Sequence, residues 1–296
     1  MARIKTSAGY RVFTACNTVF MLLLVVITLY PIYYCVMASF SDPDTLARSY
    51  GKLLLLPLQP FTVGGYAKVL HHSQFLSGCR NTLFVLVVGT AVNMAITIMT
   101  AYTLSRKGLM LNRPITMLIV FTMYFSGGMI PGYLNVQQLG MNNSLWALII
   151  PGAMSTYNMI IMRTAFAAVP TSLVESAQLD GARHFTIMTR IAIPLAVPTI
   201  VVLILYYAVG HWNAWFAASI YLQDPAKYPL QLVMRNILNS ASINEMISGV
   251  DDGDQARYVE LIKYALIVIT TVPILVLYPF LQKYFVKGVM IGAVKE

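Results

Sequence analysis

Residues 169–198, VPTSLVESAQLDGARHFTIMTRIAIPLAVP, collect Glu175, Asp180, Arg183, His184 and Arg190 into one segment of a chain that is otherwise strongly apolar. None of these side chains stands at a spacing that makes a nucleophile and its base, so the chemistry open to them is recognition. Pro170 halts a helix arriving from upstream. Ser172-Leu173-Val174-Glu175 fits the S-x-x-E capping box, in which serine caps a new helix and glutamate reaches back to it. The spacing predicts a short helix over 173–179, then a turn at Asp180-Gly181 with glycine left-handed. Beyond it Phe185, Met188 and Ile191 recur three apart as a narrow apolar ridge, with Arg183, His184 and Arg190 around it. A capped helix, a glycine hinge and an apolar ridge form a docking device for a soluble partner.

A second set of polar side chains lies inside apolar runs. Thr90, Asn93, Thr97 and Thr100 follow steps of three, four and three, which puts them on one face of a helix. They line a polar pathway or hydrogen-bond to neighbouring helices; packing is the preferred reading, since such contacts are common in helix bundles and average about 0.6 kcal/mol. Further on, Tyr206, Tyr207, His211, Trp212, Asn213 and Trp215 combine aromatic faces with an amide. That mixture suits a sugar, which is recognised by flat apolar surface and a few placed hydrogen-bonders. It equally suits an aromatic belt at a membrane interface, with Asn213 bonded to a neighbouring helix. Asn93, Tyr207, Trp212 and Asn213 are the candidate substrate-pathway residues.

Catalytic and metal sites are not expected. No G-x-x-x-x-G-K-[ST] occurs to cradle nucleotide phosphates, and neither H-E-x-x-H nor G-x-S-x-G is present. Asp251-Asp252-Gly253-Asp254 lacks the alternating register of a calcium loop and reads as a solvated acidic turn. Cys16, Cys35 and Cys79 have no metal or redox spacing.

The elements that must position these residues are membrane helices. Of 296 residues, 58% are hydrophobic and only 10% charged, against about a quarter charged in soluble domains. Runs free of Asp, Glu, Lys and Arg, long enough for roughly 30 Å of hydrocarbon, fall at 12–40, 81–104, 114–129, 145–162, 194–222 and 264–282. The fold class is therefore all-α integral membrane with six transmembrane helices. The first run is too long for a signal-peptide core and is read as retained. With the N-terminus inside, the whole formal charge of +9 falls on the cytoplasmic side and the other side balances. That explains the basic character through lipid headgroups and excludes nucleic acid as its cause. The loop 169–198 is then cytoplasmic, and the segments 41–80 and 223–263 are extracytoplasmic. Within the former a short helix is expected around 65–76; within the latter Leu230, Val233, Met234 and Ile237 mark an amphipathic helix. Gly127, Gly128, Pro131 and Gly132 break the segment 125–144, and Pro151-Gly152 interrupts the fourth run.

Glu175-Ser176-Ala177, three residues, Gly181, nine residues and Ile191-Ala192-Ile193-Pro194 resemble the EAA motif of ABC importer permeases, E-A-A-x(3)-G-x(9)-I-x-L-P. Ser176 replaces alanine and Ile193 replaces leucine. In that family the loop is the pair of coupling helices that seats in a cleft of the ATP-binding subunit and passes its closure to the membrane helices. The resemblance implies an ATPase-coupling set of Glu175, Ser176, Ala177, Asp180, Gly181, Ala182, Phe185, Met188, Ile191 and Pro194. FTMYFSGGMIPGYLNVQQLGMNNSLWALIIPGAMSTYNMIIMRT, YYAVGHWNAWF, YPLQLVMRNIL and the terminal VKGVMIGAVKE look like the carbohydrate-importer branch, in the group related to lipoprotein-associated complex-glycan systems of Gram-positive bacteria. This implies one type I ABC importer transmembrane domain over 1–296, with both termini cytoplasmic, in a bacterial cell membrane. It implies no cofactor in this chain, since ATP and Mg belong to two partner ATP-binding subunits. The other implied partners are a second homologous permease, an extracellular sugar-binding lipoprotein and membrane lipid. The tail 288–296 would enter the interface of the ATPase dimer. A stand-alone secondary carrier, or an ABC importer permease for a non-sugar solute, are the alternatives.

Overall fold

A computed structural model describes residues 8–49, 52–106, 108–247, 261–276 and 279. Among them all regular structure is helical. The described chain forms two compact units, one from residues 1–72 with 238–271, the other from residues 73–237 with 272–296.

In the first unit, α1 (Ala8–Ser39) is 32 residues of almost uninterrupted apolar sequence. Near its end the hydroxyls of Tyr30, Tyr33 and Ser39 bond to Leu54, Leu55 and Tyr66 outside the helix, while along its length the hydroxyls of Thr14, Thr18 and Thr28 each donate to a carbonyl one turn back at 2.8 Å. A stretch of helix that satisfies its own polar groups suits hydrocarbon. Only its end is buried, where Ala38 packs with Leu46 and Leu54. Asp42 caps α2 (Pro43–Arg48) by accepting from the Thr45 amide. The helix expected near 65–76 is α3 (Gly64–Leu70), and a side chain at Gly65 would lie 2.9 Å from the Leu261 carbonyl oxygen of α14 (Leu261–Val276). Glycine is what lets these two helices approach so closely.

The second unit is built on α4 (Phe75–Ser105), which carries Asn81, Thr82, Asn93 and Thr97 as buried polar side chains. The helices α5 (Asn112–Tyr124) and α6 (Met129–Gln138) follow, bent by 114° at Gly127-Gly128. The chain then passes a 3-10 turn (Leu145–Leu148) to α7 (Thr156–Ala167). After α8 (Thr171–Leu179) come α9 (His184–Ile187), a π-turn (Met188–Ala192), α10 (Ile193–Leu195) and α11 (Val197–Trp212). Last come α12 (Phe216–Tyr221), a 3-10 turn (Pro225–Lys227) and α13 (Leu230–Ile247).

Among the described residues two helices, α1 and α4, are long and apolar enough to cross a membrane, and up to four spans result if each bent pair is counted as one. Three expected spans are not continuous helices. The run 114–129 ends at Tyr124, and the segment beyond is mostly helix, because Pro131 and Gly132 fall in the first turn of α6, where proline's missing N–H costs nothing. The run 145–162 is helical only at its ends, since Pro151-Gly152 leaves residues 149–155 irregular. The run 194–222 bends by 85° before Val197 and breaks again at 213–215. Of the run 264–282, the described helix ends at Val276; the rest, with Asp251, Asp252, Gly253, Asp254 and the tail 288–296, lies outside the described residues.

The core of this unit joins α4, α7 and α11 through Met94, Tyr102, Met162, Phe166, Leu203 and Tyr207. The expected amphipathic helix is α13, which buries Leu230, Val233 and Met234. It is seated on α4: the Asn81 amide donates to the Ala226 and Tyr228 carbonyls at 2.8 and 3.1 Å, and the Leu230 N–H donates to Thr82 Oγ1 at 2.8 Å.

Candidate functional site

The loop between α7 and α11 departs from its expected start. Pro170, with φ −55° and ψ 130°, is the residue before the first helical one, and no side chain caps α8. The helix thus starts two residues earlier than the S-x-x-E pattern requires, and the capping box does not form. Ser172 sits inside the first turn, and Glu175 is exposed, without a hydrogen bond or ion pair among the described residues.

The C-terminal end of α8 follows the expected turn closely. The Ala182 N–H donates to the Ala177 carbonyl at 2.9 Å, and the Gly181 N–H to the Gln178 carbonyl at 3.0 Å. This is the Schellman pair of bonds that closes a helix over a left-handed residue. Gly181 has φ +81°, and a Cβ there would meet nothing within 4 Å. Backbone conformation alone, with no steric contact, calls for glycine. Asp180 is the exposed residue at the cap, and Ala177 and Ala182 pack on the core from either side of the turn.

The apolar ridge is not continuous. Pro194 offers no N–H to the preceding turn, and the helix widens into a π-turn at 188–192. The wider turn shifts Ile191 relative to Met188, whereas Phe185 precedes it. Phe185 is 70% exposed, Met188 turns inward at 7%, and Ile191 is half-buried. Val174, Ile187, Met188 and Ala192 anchor the loop to the α4, α7 and α11 core. Outward stand Leu179, 90% exposed, with Phe185 and Leu173. Ser176 and Pro194 are exposed as well. The segment therefore has an apolar inner seam and apolar outer tips on a polar surface.

Of the polar stripe of α4, Asn93 and Thr97 make helix-to-helix hydrogen bonds, while the Thr90 hydroxyl is buried with no partner among the described residues. Asn93, fully buried, donates from Nδ2 to the Gly152 carbonyl at 2.7 Å, and its Oδ1 lies 2.6 Å from His211 Nε2. With Nδ2 committed to a carbonyl, Oδ1 must face the imidazole, so His211 donates from Nε2. Thr97 Oγ1 and the Tyr207 hydroxyl are 2.7 Å apart, and that hydroxyl also accepts from the Ser155 N–H at 3.0 Å. Gly152 and Ser155 belong to the break before α7. Irregular backbone at membrane depth persists only where protein satisfies it, and Asn93 and Tyr207 do this here. Asn213 is exposed and bonds the Val209 carbonyl of its own helix at 3.0 Å; Trp212, beside it, is half-buried. The Arg235 guanidinium lies 3.6 Å from the Trp215 ring centroid, covering one of its faces.

Residues 3–291 match the family described as binding-protein-dependent transport system inner membrane component. The chain belongs to this family. The polygalacturonan/rhamnogalacturonan transport system permease protein YtcP of Bacillus subtilis (strain 168) is 39% identical over 281 residues, 93% of this chain and 96% of the relative. Protein LplC of the same organism is 40% identical over 295 residues, 98% of this chain and 97% of the relative. Among solved structures, a chain of a bacterial ABC transporter involved in the import of the acidic polysaccharide alginate superposes with a TM-score of 0.84 at 30% identity. The match covers 96% of this chain and 100% of that chain. The fold is that of a type I ABC importer permease.

In this permease the outward Leu173 and Leu179 were not among the residues singled out by motif. Helical geometry carries the signal for one of them: with Val174 inward, Leu179 five residues on falls on the opposite face. A second overlooked contact is Gly89, where a Cβ would stand 2.6 Å from His211 Nε2. Because that ring is bonded to Asn93, it can yield only by giving up the bond. Gly89→Ala is expected to cost about 1–3 kcal/mol, the usual range for overpacking. A lowered thermal unfolding midpoint of the permease in detergent would register it.

Proposed function

We propose that this permease is a transmembrane subunit of an ATP-driven carbohydrate importer, with six spans and both termini in the cytoplasm. It forms half of the pathway with a second homologous permease and receives sugar from an extracellular binding lipoprotein. Two ATP-binding subunits dock on residues 169–198 and supply both the ATP and the Mg. The observation that carries this reading is the loop itself: Leu179 and Phe185 project outward while Val174, Ile187 and Met188 root the same segment in the transmembrane core. A partner gripping the tips moves the helices behind them. The one-sided charge of +9 supports a cytoplasmic position for the loop.

Carbohydrate as the solute is supported by the names of the relatives, which handle polygalacturonan/rhamnogalacturonan and, for the solved transporter, alginate. ATP-driven closure of the soluble dimer draws the coupling loops together and favours one of two bundle arrangements, a population shift by differential contact. In this reading Trp212 and Asn213 at the end of α11 meet the sugar. Asn93 and Tyr207 hold the wall behind them.

The test replaces Leu179 and Phe185 together by aspartate. Both side chains are exposed, so the chain should reach the membrane at its normal level. ATP-binding subunits are expected to be lost on co-purification, and uptake of labelled oligosaccharide to fall by about tenfold or more, the equivalent of about 1.4 kcal/mol. Intact co-purification with undiminished uptake would rule out the loop as the docking device.

A further inference from the structure

Where the loop leaves the bundle, two arginines cross between helices. Arg163 of α7 donates from Nε to the Leu104 carbonyl, in the last turn of α4, at 2.9 Å. Arg106, directly after α4, donates from Nη2 to the Phe166 carbonyl, in the last turn of α7, at 2.8 Å. The last carbonyls of a helix have no partner within it and carry the negative end of its dipole. Each helix therefore supplies the cation that completes the end of the other.

The surroundings fix the orientation of this exchange. Arg106 also donates from Nε to Ser105 Oγ at 3.0 Å, and its guanidinium lies 4.8 Å from the Tyr102 ring centroid. Tyr102 meets Phe166 edge-on, with centroids 5.9 Å apart. The Asn112 amide donates to the carbonyls of Leu104 and Arg106 at 3.0 and 3.2 Å, so the start of α5 joins the same knot. Among the described residues neither arginine pairs with a carboxylate. Each guanidinium group gives one nitrogen to a backbone carbonyl of the other helix.

We infer that Arg106 and Arg163 form a reciprocal latch that transmits displacement of the 169–198 loop to α4. The inference rests on the proposed docking of ATP-binding subunits to that loop. Phe166 lies five residues before Thr171, where α8 begins, so the latch grips the chain just as it leaves the core. Further back, from the middle of the helix onward, α4 carries Asn93 and Thr97, which hold the break at Gly152 and the hydroxyl of Tyr207. Between Leu104 and Asn93 the helix rises about 16 Å, at 1.5 Å per residue. A rigid helix gripped at one end and bonded near its middle to the break before α7 converts a push at the loop into movement of that break. Apolar packing alone would hold the helix ends together but would let them slide; paired bonds to carbonyls fix register and rotation too. Lysine cannot replace the fork, because Arg106 uses two nitrogens of one rigid plane on two acceptors.

The experiment uses the complete complex, with both permeases, the ATP-binding subunits and the sugar-loaded binding protein, in proteoliposomes. Arg106→Gln, Arg163→Gln, the double variant and Arg106→Lys are compared for ATP hydrolysis and for sugar imported per ATP. Hydrolysis is expected to stay within about twofold of the parent while import per ATP falls about tenfold in each glutamine variant. The double variant should fall little further, because both bonds belong to one device. Arg106→Lys, which keeps the charge, should lose about threefold. Proportional loss of hydrolysis and uptake, or normal import per ATP in Arg106→Lys and either glutamine variant, overturns the latch. If the Leu179 and Phe185 aspartate variant still binds the ATPases, the proposed function itself fails. If that variant releases them while the arginine variants remain coupled, only the latch fails.

Discussion

Gly181→Val is expected to leave the permease in the membrane and to cut its recovery with ATP-binding subunits by about tenfold, while Gly181→Asn retains most of it. The reason lies in the backbone alone. Gly181 has φ +81°, and nothing stands within 4 Å of where a side chain would start. A residue with a Cβ in the left-handed region costs roughly 1–2 kcal/mol, more when it is β-branched, while asparagine enters that region with little penalty. Since about 1.4 kcal/mol is a factor of ten in a binding constant, strain of that size is enough to unseat the loop from a partner. The bonds from Ala182 to Ala177 and from Gly181 to Gln178 would loosen first, swinging α9 and with it Phe185 away from Leu179. Alanine should fall between the two variants. Co-purification and substrate-stimulated ATPase activity are the measurements. A valine variant that assembles like the parent, at equal abundance, would show that the left-handed turn does not set the geometry of the docking surface.

That turn was readable in the sequence because its cause is local: Asp180-Gly181 ends a helix by chemistry contained in two residues. The buried face of α13 was readable for a similar reason, since Leu230, Val233 and Met234 repeat with the period of the helix they form. Local pattern misled where a neighbour outweighed it. Ser172 and Glu175 have the spacing of a capping box, yet Pro170 opens the helix two residues too early for it. Phe185 and Met188 have the spacing of a ridge, yet the core takes up Met188 while Phe185 stays exposed. Hydropathy marked 145–162 as one run because apolar composition records burial and is blind to backbone path, so the break at 149–155 left only the trace Pro151-Gly152. The partners of the polar stripe were beyond any local pattern: Asn93 and His211 stand 118 residues apart, Thr97 and Tyr207 110. Which helices meet is a property of the packed bundle, and one face of α4 is silent about it. Membership of the family, by contrast, was legible from the loop's spacing even though the cap within it was misread, because the motif depends on residue intervals that survive a shift in the helix start.

Asn93→Leu is expected to destabilise the permease by about 1–3 kcal/mol and to abolish most uptake. Leucine has the branched outline of asparagine, though it is bulkier, and suits an apolar interior, so much of the cost comes from what it leaves behind. The Gly152 carbonyl loses its 2.7 Å donor, and His211 Nε2 loses its 2.6 Å acceptor. A buried group deprived of a partner costs about 1–3 kcal/mol; the amide that both lose is fully buried, while His211 is half-buried and Gly152 exposed, so the imidazole carries most of that cost. Thr97→Val is the control from the same face of the same helix. It removes one bond to Tyr207, whose hydroxyl still accepts from Ser155, so a loss nearer the 0.6 kcal/mol average for interhelical contacts is expected. Thermal unfolding of the purified complex, read beside uptake as a function of sugar concentration, separates two roles for Asn93. A residue that pins the break lowers the unfolding midpoint and the maximal rate together, with half-saturation unchanged, because the wall loses its shape without any sugar contact being lost. A residue that touches sugar raises the half-saturating concentration and leaves the midpoint alone. The bonds from Asn93 run to protein on both sides of its amide, which assigns it to the first pattern, and an unchanged midpoint in Asn93→Leu would refute that assignment.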